Sequence, residues 1–287
     1  MKKYLRFLLF GFIALIIIAI ALDFTYTFVY KHSKSNRSAF QIVRDLKNNK
    51  IDYVLLGSSR VIHHLNTKLI NEKYHLNGMN LSLDGTRLKE LLLFTETLIA
   101  NNNHIDKLFI QIDYIWNYNE KSFVASWVFM PFIHDEYIAN EYLDQSEKIK
   151  YNIPFYRYIK YEPMLGFRNI VMNIFKKKSL SETGFEPILN EPFKGDAEYS
   201  YTLNDTMNPS IAKIIELCKQ NDIKLIFYTA PIYNLKANNE EIFNKYLSDY
   251  TDFSSIFSDL TLFSDAIHLN KKGALLFTEH FGKHYFE

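Results

Sequence analysis

The segment YVLLGSSRVIHH, residues 53–64, places two serines directly after a run of apolar residues. A serine hydroxyl is a weak nucleophile at neutral pH, and it needs a neutral imidazole to accept its proton and a carboxylate to orient that imidazole. FSDAIHLNKKGA, residues 263–274, supplies Asp265 three residues before His268. In a tight turn this spacing brings the carboxylate to Nδ1 of the histidine and leaves Nε2 free to face a serine. These residue types indicate acyl transfer through a serine nucleophile.

Each of the two patterns is short and common, and the alternative for the first is a plain turn in which the serines cap a loop. Their joint placement favours chemistry, because the serines follow a strand and the histidine precedes a helix. Strand signals cover four segments: IDYVLLG (51–57), LNGMNLSL (76–83), IDKLFIQID (105–113) and IKLIFYTAP (223–231). Helical spacing covers four more: AFQIVRDLKNN (39–49), TRLKELLLFTETLIANN (86–102), NPSIAKIIELCKQNDI (208–223) and KKGALLFTEHFGKHYF (271–286). We expect Thr86 to cap the second of these helices.

Strands that alternate with helices predict an α/β fold with a mainly parallel, doubly wound sheet. In such sheets ligands bind beyond the carboxyl ends of the strands. The Gly57-Ser58-Ser59 and Asp84-Gly85 segments both lie at predicted strand ends. The sequence therefore predicts one site at this edge of the sheet.

Residues 114–205 break the alternation and predict a largely helical insertion with no clear strand. The segment is rich in aromatic side chains: Trp116, Tyr118, Trp127, Phe129, Phe132, Tyr137, Tyr142, Phe155, Tyr156, Tyr158 and Tyr161. Two interpretations stay open, since aromatic rings stack on sugars and equally pack an insertion against its own core.

The order and content of these blocks resemble the SGNH/GDSL hydrolase superfamily, whose members share a flavodoxin-like three-layer α/β/α fold. Gly57-Ser58-Ser59 resembles the first block, Gly-Asp-Ser, with Ser59 at the nucleophile position and Ser58 in place of the usual aspartate. The same variant occurs in membrane-anchored members linked to acylation of cell-wall or surface polymers. The last block, Asp-x-x-His-Leu-Asn-x-x-Gly, matches from Asp265 to Gly273, which implies Asp265 as the orienting acid and His268 as the base.

The resemblance also implies how an oxyanion would be held. NLSLDGTR resembles the second block, so the backbone N–H groups of Gly85 and Ser59 are the expected donors. The third block, Gly-x-Asn-Asp, departs from the pattern: Asp113 lies in that region, and Asn117 is only a loose counterpart of the asparagine. We expect Ser58 to support the turn. Arg60 has two interpretations, a contact with an anionic substrate group or neighbouring acid, and a structural ion pair with Asp113.

The first thirty residues predict a membrane segment. Between Arg6 and Asp23 lie sixteen uncharged, mostly large apolar residues, which span about 24 Å as a helix, somewhat less than a bilayer core. A cleaved signal peptide would use the small residues of Ala19-Ile20-Ala21, whereas a retained signal anchor explains the aromatic residues that follow. We favour the anchor, with the bulk of the chain on the extracytoplasmic side, periplasmic or extracellular.

We therefore expect residues 1–30 to be a signal anchor, 31–50 a linker with a short helix, and 51–287 a hydrolase-like domain with the insertion at about 114–205. The net charge of +1 gives no electrostatic reason to expect nucleic-acid binding. The lone Cys218 cannot form an internal disulfide, and its apolar-periodic surroundings predict a buried thiol.

No metal or cofactor is expected. Adjacent His63 and His64 lack a partner at ligand spacing and are interpreted as surface or loop histidines. We interpret His280 and His284 as solvent-exposed. For the His134-Asp135 pair a solvated loop is favoured, and a second-site feature is the alternative.

The function that these residues favour is a serine esterase or O-acyltransferase that acts on a carbohydrate polymer or glycolipid outside the cytoplasm. The resemblance implies a polytopic membrane-bound O-acyltransferase as a partner that hands over acyl groups. A second interpretation is a catalytically weak, glycan-binding scaffold of a polysaccharide-modification complex. A flavodoxin-like nucleotide-binding domain is disfavoured, because GSSRVIHH offers one glycine where a phosphate loop needs several.

Overall fold

The computed structural model describes residues 1–33, 38–175, 184–189, 192–195 and 198–287. The chain forms two compact units. The helical unit comprises Met1–Ser38 and Ser126–Ser179, and the α/β unit comprises Ala39–Ala125 and Leu180–Glu287. Parts of the predicted linker and of the predicted insertion lie outside the described residues.

Seven strands are present in the described residues: β1 (Lys50–Leu56), β2 (Gly78–Asn80), β3 (His104–Gln111), β4 (Tyr199–Ser200), β5 (Lys224–Thr229), β6 (Leu235–Lys236) and β7 (Tyr250–Asp252). Five of them form one sheet in the order β2-β1-β3-β5-β7, and every neighbouring pair is parallel. The other two, β4 and β6, pair with each other. The predicted α/β class with a mainly parallel sheet is confirmed.

The helices are α1 (Lys2–His32), α2 (Ala39–Asp45), α3 (Ser59–Ile62), α4 (Thr67–Tyr74), α5 (Leu88–Ala100), α6 (Gln145–Tyr151), α7 (Tyr156–Lys160), α8 (Glu162–Leu165), α9 (Phe167–Phe175), α10 (Pro209–Gln220), α11 (Asn239–Tyr246) and α12 (Lys271–Phe286). Short 3₁₀ turns cover Tyr114–Asn117, Ser126–Phe132 and Leu260–Leu262, and one π turn covers Ile138–Tyr142. The predicted closing helix has the bounds of α12.

The sequence prediction missed helices α4 and α11 and strand β6, and it differs from the structure in other strands. The strand predicted over 76–83 is reduced to β2. Strand β7 was not predicted, because its three residues, Tyr-Thr-Asp, are too few and too polar for a periodic signal. The two-residue β4 lies inside the insertion, where no clear strand was expected.

The core of the α/β unit lies where α12 packs on the sheet. Phe277 and Phe281, one turn apart, bury their rings completely. The Phe281 ring centroid lies 5.2 Å from that of Phe109 on β3 and 5.1 Å from that of Tyr228 on β5. This contact fixes α12 against the sheet, and the segment that contains His268 leads directly into this helix.

In the helical unit, the carboxyl-terminal third of α1 packs into the fold, whereas its first 22 residues are mostly exposed. Tyr26 and Tyr30 are buried, and the Tyr26 ring meets that of Phe155 edge-on with centroids 4.9 Å apart. Helix α1 is long and apolar enough to cross a membrane, with a mean hydropathy of 2.8 over its most apolar window. The predicted N-terminal apolar segment is thus one continuous helix and a possible single membrane span.

Most of the aromatic residues noted in the insertion pack the interior. Six are buried: Trp116, Phe129, Phe132, Tyr142, Tyr158 and Tyr161. For these residues packing is the observed role, and they are inaccessible to a sugar.

Candidate active site

The structure brings together the three side chains that the sequence singled out. Ser59 Oγ lies 2.8 Å from His268 Nε2. On the other side of the ring, His268 Nδ1 lies 2.9 Å and 3.1 Å from the two carboxylate oxygens of Asp265. The carboxylate holds the proton on Nδ1, so Nε2 accepts a hydrogen bond from the serine hydroxyl. This is the geometry that a serine nucleophile and its general base require.

Ser59 reaches this position because of how β1 ends. The strand stops at Leu56, and Gly57 lies so close to β3 that a Cβ on it would meet Val61 and stand 2.8 Å from the Cβ of Gln111. A larger residue would push the turn away from the sheet. The order β2-β1-β3 reverses the direction of strand succession between β1 and β3, and ligands bind at such a point beyond the carboxyl ends. Ser59 therefore lies at the edge of the sheet where the fold favours a site.

The Asp265–His268 turn is organised by its own hydrogen bonds. Asp265 Oδ1 accepts from the backbone N–H groups of Ile267, at 2.8 Å, and His268, at 2.9 Å. Asn270 then caps α12 by accepting from the Gly273 N–H at 3.1 Å. Burial raises the pKa of Asp265, but the hydrogen bonds from His268 and the two backbone N–H groups outweigh it, so the pKa is lowered. The carboxylate stays ionised and holds the imidazole.

Next to Ser59 lies a buried polar network that the sequence only partly predicted. Arg60 forms an ion pair with Asp113, and both side chains are almost fully buried. Gln111 donates from Nε2 to the same Asp113 oxygen and accepts from Ser58 Oγ at 2.9 Å. The ion pair is the structural alternative that the sequence left open for Arg60, and the hydroxyl of Ser58 is held away from the triad. Gln111 was missed, although its position at the end of β3, two residues before Asp113, was a usable signal.

Of the two positions expected for the adjacent histidines, surface or loop, the surface is wrong for His64, which lies in the turn after α3 and is buried. Its side chain is 0% exposed, and Nε2 accepts a hydrogen bond from the Leu269 N–H at 2.9 Å. The His64 ring centroid lies 6.1 Å from that of His268. The short α3 and the turn after it direct this residue inward against α12, so it supports the backbone next to His268. Its neighbour His63 remains partly exposed, 5.9 Å from His268 by ring centroids.

The turn that contains Gly85 is tied to the end of β1. Gly57 O accepts from the Thr86 hydroxyl at 2.7 Å and from the Leu83 N–H at 3.2 Å. The predicted cap role of Thr86 is therefore wrong: α5 begins at Leu88 with Arg87 as its N-cap residue. Gly85 has φ +66°, a left-handed conformation that favours glycine. In the described part of the chain, neither Ser59 nor Gly85 has an acceptor for its backbone N–H.

Asn117, the loose candidate for a side-chain oxyanion donor, is engaged elsewhere. Its Nδ2 donates to the Thr202 carbonyl at 2.8 Å, and its Oδ1 accepts from the Asn204 N–H at 2.8 Å. Both ends of the amide thus fix the loop before α10. Asn117 holds this loop, and the two backbone N–H groups remain the available donors.

The sequence also singled out several other reactive residues. Cys218 is buried on α10, as predicted, and burial raises the pKa of its thiol to about 12. His134, His280 and His284 are exposed, as predicted. Asp135, expected in a solvated loop, is half-buried and pairs with Lys31. Among the described residues, no cluster of His, Cys, Asp and Glu side chains is arranged to hold a metal ion.

The geometry is that of a serine–histidine–aspartate triad on a parallel α/β sheet. No protein-family model matches this chain, and no curated protein has a significant match to its sequence. The function is therefore inferred from the arrangement of its own residues.

Proposed function

We propose that this protein is a serine esterase or O-acyltransferase that acts on a carbohydrate polymer or glycolipid. The observation that supports it most is the 2.8 Å contact of Ser59 Oγ with His268 Nε2, combined with the Asp265 carboxylate at Nδ1. Three residue types needed for one mechanism converge from positions 209 residues apart in the chain. If the serines only capped a turn, the fold would not have to bring His268 and Asp265 to Ser59.

In the proposed mechanism Ser59 Oγ attacks the carbonyl carbon of an acyl ester while its proton passes to His268 Nε2. Asp265 stabilises the imidazolium, and the N–H groups of Ser59 and Gly85 donate to the oxyanion. Collapse of the tetrahedral intermediate expels the alcohol, which takes the proton from His268. Water or a sugar hydroxyl then attacks the acyl-serine and gives its proton to His268. The bond between Ser59 Oγ and the acyl carbon breaks, Ser59 Oγ takes the proton back from His268, and the acyl group leaves as an acid or as a new sugar ester.

Two features of the fold support membership of the SGNH/GDSL superfamily. The strand order β2-β1-β3-β5-β7 corresponds to 2-1-3-4-5, the order of flavodoxin-like sheets. The blocks Gly57-Ser58-Ser59 and Asp265 to Gly273 stand in the order typical of that superfamily. We also propose that this chain shares the three-layer arrangement of the superfamily's members and, like them, forms an acyl-serine.

The membrane helix supports the proposed location. Helix α1 can hold the chain in a membrane, and we place the α/β unit on the extracytoplasmic side. A surface or cell-wall glycan is then the accessible substrate. By analogy with the superfamily, a polytopic membrane-bound O-acyltransferase supplies the acyl group.

The experiment is fluorophosphonate labelling of the full chain in detergent, together with turnover of p-nitrophenyl acetate. We expect Ser59→Ala to abolish labelling and to lower turnover at least about 10³-fold. Ser58→Ala is the matched control, because the hydroxyl of Ser58 donates to Gln111, and this variant should still label. Full labelling of Ser59→Ala would overturn the proposal.

One observation favours a second candidate function. Because the Asn117 amide is engaged with Thr202 and Asn204, the site has two backbone oxyanion donors and no assigned side-chain donor, and loss of one donor typically lowers a rate by about 10²–10³. A catalytically weak glycan-binding scaffold fits that feature. It predicts polysaccharide binding that Ser59→Ala leaves unchanged, together with no ester turnover by the unmodified chain.

A further inference from the structure

His63 is a side chain of the candidate active site that the proposed mechanism does not use. It follows α3, the short helix that begins at Ser59, and its ring centroid lies 5.9 Å from that of His268. The His63 side chain is 19% exposed. A polar side chain that lies this close to His268 and reaches solvent is placed to contact a ligand at the triad.

The backbone around His63 fixes which ring nitrogen faces such a ligand. His63 Nδ1 lies 2.5 Å from the carbonyl oxygen of Glu186, and the Glu186 N–H donates to the carbonyl of Ile62 at 3.0 Å. Because a carbonyl oxygen only accepts, the neutral ring carries its proton on Nδ1, and Nε2 is an acceptor. Within the described residues Nε2 has no hydrogen-bond partner and is not one of the fully buried unpartnered atoms. It is therefore open to a donor from solvent or from a ligand.

Asp84 supplies a second acceptor beside this nitrogen. Its Oδ1 lies 3.7 Å from His63 Nε2, beyond hydrogen-bond distance, and its side chain is 59% exposed. Asp84 directly precedes Gly85, and His63 lies four residues after Ser59. The two acceptors thus belong to the same turns as the two proposed oxyanion donors, the N–H groups of Ser59 and Gly85.

The chemistry of this pair limits what the ligand is. An anion is disfavoured, because it would meet the Asp84 carboxylate and the lone pair of His63 Nε2. A metal ion is disfavoured too, since no group of three or more His, Cys, Asp and Glu side chains in the described chain is arranged to hold one. Two adjacent acceptors are satisfied by two adjacent donors. Neighbouring hydroxyls of a sugar ring are such donors, and a hydroxyl bonds strongly to a carboxylate.

We propose that His63 and Asp84 bind two adjacent hydroxyls of a neutral sugar, on the ring that carries the ester or receives the acyl group. This inference rests on the proposed function for the presence of a sugar at the triad. His63 and Asp84 then determine specificity, because they favour a ring with adjacent hydroxyls over a simple alcohol.

The test is saturation-transfer difference NMR titration of the full chain, in a detergent without sugar headgroups. The probe is methyl β-D-glucopyranoside, and tetrahydropyran-2-methanol is the matched ligand that keeps the ring but has a single hydroxyl. We expect the glycoside to bind about tenfold more tightly than the single alcohol, because only the glycoside donates to both acceptors.

Two substitutions of His63 separate ligand binding from a structural role. In His63→Asn the amide nitrogen takes the place of Nδ1 and still donates to Glu186, but the acceptor at Nε2 is lost, so we expect about tenfold weaker glycoside binding. In His63→Gln the amide oxygen takes the place of Nε2, so binding should stay within about threefold. A residue that only held Glu186 would show the reverse order, and that order would overturn the inference.

Substitutions at exposed positions keep the test independent of folding. Asp84→Ala removes the second acceptor from an exposed side chain and should weaken glycoside binding about tenfold. His104→Asn is the matched control: His104 Nε2 also lies near an aspartate, 3.2 Å from Asp106 Oδ1, but at the beginning of β3, the opposite edge of the sheet. This variant should bind the glycoside like the unmodified chain.

The inference would be overturned if the unmodified chain did not bind the glycoside, or if His63→Asn and Asp84→Ala bound it as the unmodified chain does. Displacement of the glycoside by ethylammonium chloride alone would also overturn it, since the pair would then be a cation site. Fluorophosphonate labelling of the unmodified chain is measured separately. Labelling without His63-dependent binding would refute this inference and support the acyl chemistry, whereas His63-dependent binding without labelling would do the reverse.

Discussion

The helical unit and the α/β unit each bury an arginine against an aspartate, and the two pairs have different surroundings. Arg60 and Asp113 are 1% and 0% exposed, and their network continues through Gln111 to Ser58, which precedes Ser59. Arg157 is also buried, but its partner Asp23, on α1, is 19% exposed. The first pair supports the turn of the candidate active site, and the second joins α1 to the short helices packed on it.

The pair in the helical unit is completed by neighbouring groups. Arg157 Nη2 lies 2.7 Å from Asp23 Oδ1 and donates to Thr27 Oγ1 at 2.8 Å. The other Asp23 oxygen accepts from the Phe155 N–H at 2.8 Å. Asp23 directly follows the apolar run of α1, so this charge is fixed where the helix passes from exposed surroundings into the fold.

The two units also differ in which side chains face outward. The helical unit exposes several large apolar side chains besides those of α1: Ile149, Ile153, Ile159, Met164, Phe167, Ile174 and Phe175. On α9 the exposed Phe167 and Ile174 are seven residues apart, whereas Ile170 and Asn173 between them are buried. An exposed apolar stripe of this kind is typical of a surface that meets another apolar phase. We therefore expect the stripe on α9 to meet a membrane.

The largest expected effect is that of breaking the fully buried pair. Arg60→Met leaves the Asp113 charge buried and unpaired, so we expect the free energy of unfolding of the α/β unit to fall by about 3–5 kcal/mol. Trp116 is buried in this unit, and with Trp127→Phe as background it is the sole tryptophan reporter of the transition. Urea titration followed by its fluorescence measures the change.

Arg44→Met is the control for this measurement, because Arg44 lies at the surface with its neighbour Asp45. It should change the same free energy by less than about 1 kcal/mol. A double variant, Arg60→Met with Asp113→Leu, should recover part of the lost stability, since it removes the buried charge. Equal effects of Arg60→Met and Arg44→Met would contradict the importance assigned to the buried network.

A smaller loss is expected for the pair in the helical unit. Arg157→Met removes charged hydrogen bonds, but the Asp23 carboxylate keeps its access to solvent and is not left as a buried, unpaired charge. We therefore expect the free energy of unfolding of the helical unit to fall by about 2 kcal/mol. Trp127 lies in this unit and reports its unfolding when Trp116→Phe is the background. Trp127 reports the loss of unfolding free energy for Arg157→Met, and Trp116 reports it for Arg60→Met. Equal losses would show that the two pairs contribute equally and would refute the contrast between them.

The third prediction concerns pH and the buried histidine of the α/β unit. Burial, and then the nearby His268 and Arg60, lower the pKa of His64 well below 6.5. The folded chain keeps His64 neutral while the unfolded chain binds a proton below about pH 6.5. The stability that depends on neutral His64 is therefore present above that pH and is lost as the pH falls.

Between pH 7.5 and 5.5 we expect the unmodified chain to lose about 1.4 kcal/mol more than His64→Gln. Glutamine keeps an acceptor for the Leu269 N–H and has no proton to bind in this range. Urea midpoints followed by Trp116 fluorescence at the two pH values measure the difference. His280→Gln, at an exposed position, is the control and should follow the unmodified chain. Parallel pH slopes for the unmodified chain and His64→Gln would refute the prediction.

A feature could be predicted from the sequence when it depends on residues that lie close together in the chain. The triad residues were predictable because a serine nucleophile needs fixed residue types, and because Ser59 and His268 lie next to strongly patterned elements. The bounds of α12 were predictable for a similar reason, since Asn270 is a local cap and the apolar residues that follow repeat at helical spacing.

The remaining features depend on contacts that are distant in sequence. His64 is buried because α12 packs over it, and nothing next to it in the sequence indicates that packing. Thr86 has the chemistry of a helix cap, but the carbonyl of Gly57 competes for its hydroxyl. Strand β7 is held by pairing with β5, and its own three residues have no clear pattern. Gln111 becomes important only once β3 lies beside the turn after β1.

The smallest effect on stability is expected for substitutions of exposed apolar residues, one in each unit. Cys218 is buried and its thiol pKa is raised to about 12, so an introduced surface cysteine can be labelled selectively. Phe167→Cys in the helical unit and Leu69→Cys in the α/β unit both replace exposed side chains. Each should change the free energy of unfolding by less than about 0.5 kcal/mol.

Their response to lipid should differ. With an environment-sensitive dye on the cysteine and the full chain in lipid nanodiscs, we expect spin-labelled lipid to quench the dye at position 167 and to leave the dye at position 69 nearly unquenched. Dissolved iodide should quench position 69 more strongly. A dye at position 167 that iodide quenches and lipid does not would show that this stripe faces water, and the apolar surface of the helical unit would then need a protein partner in place of the membrane.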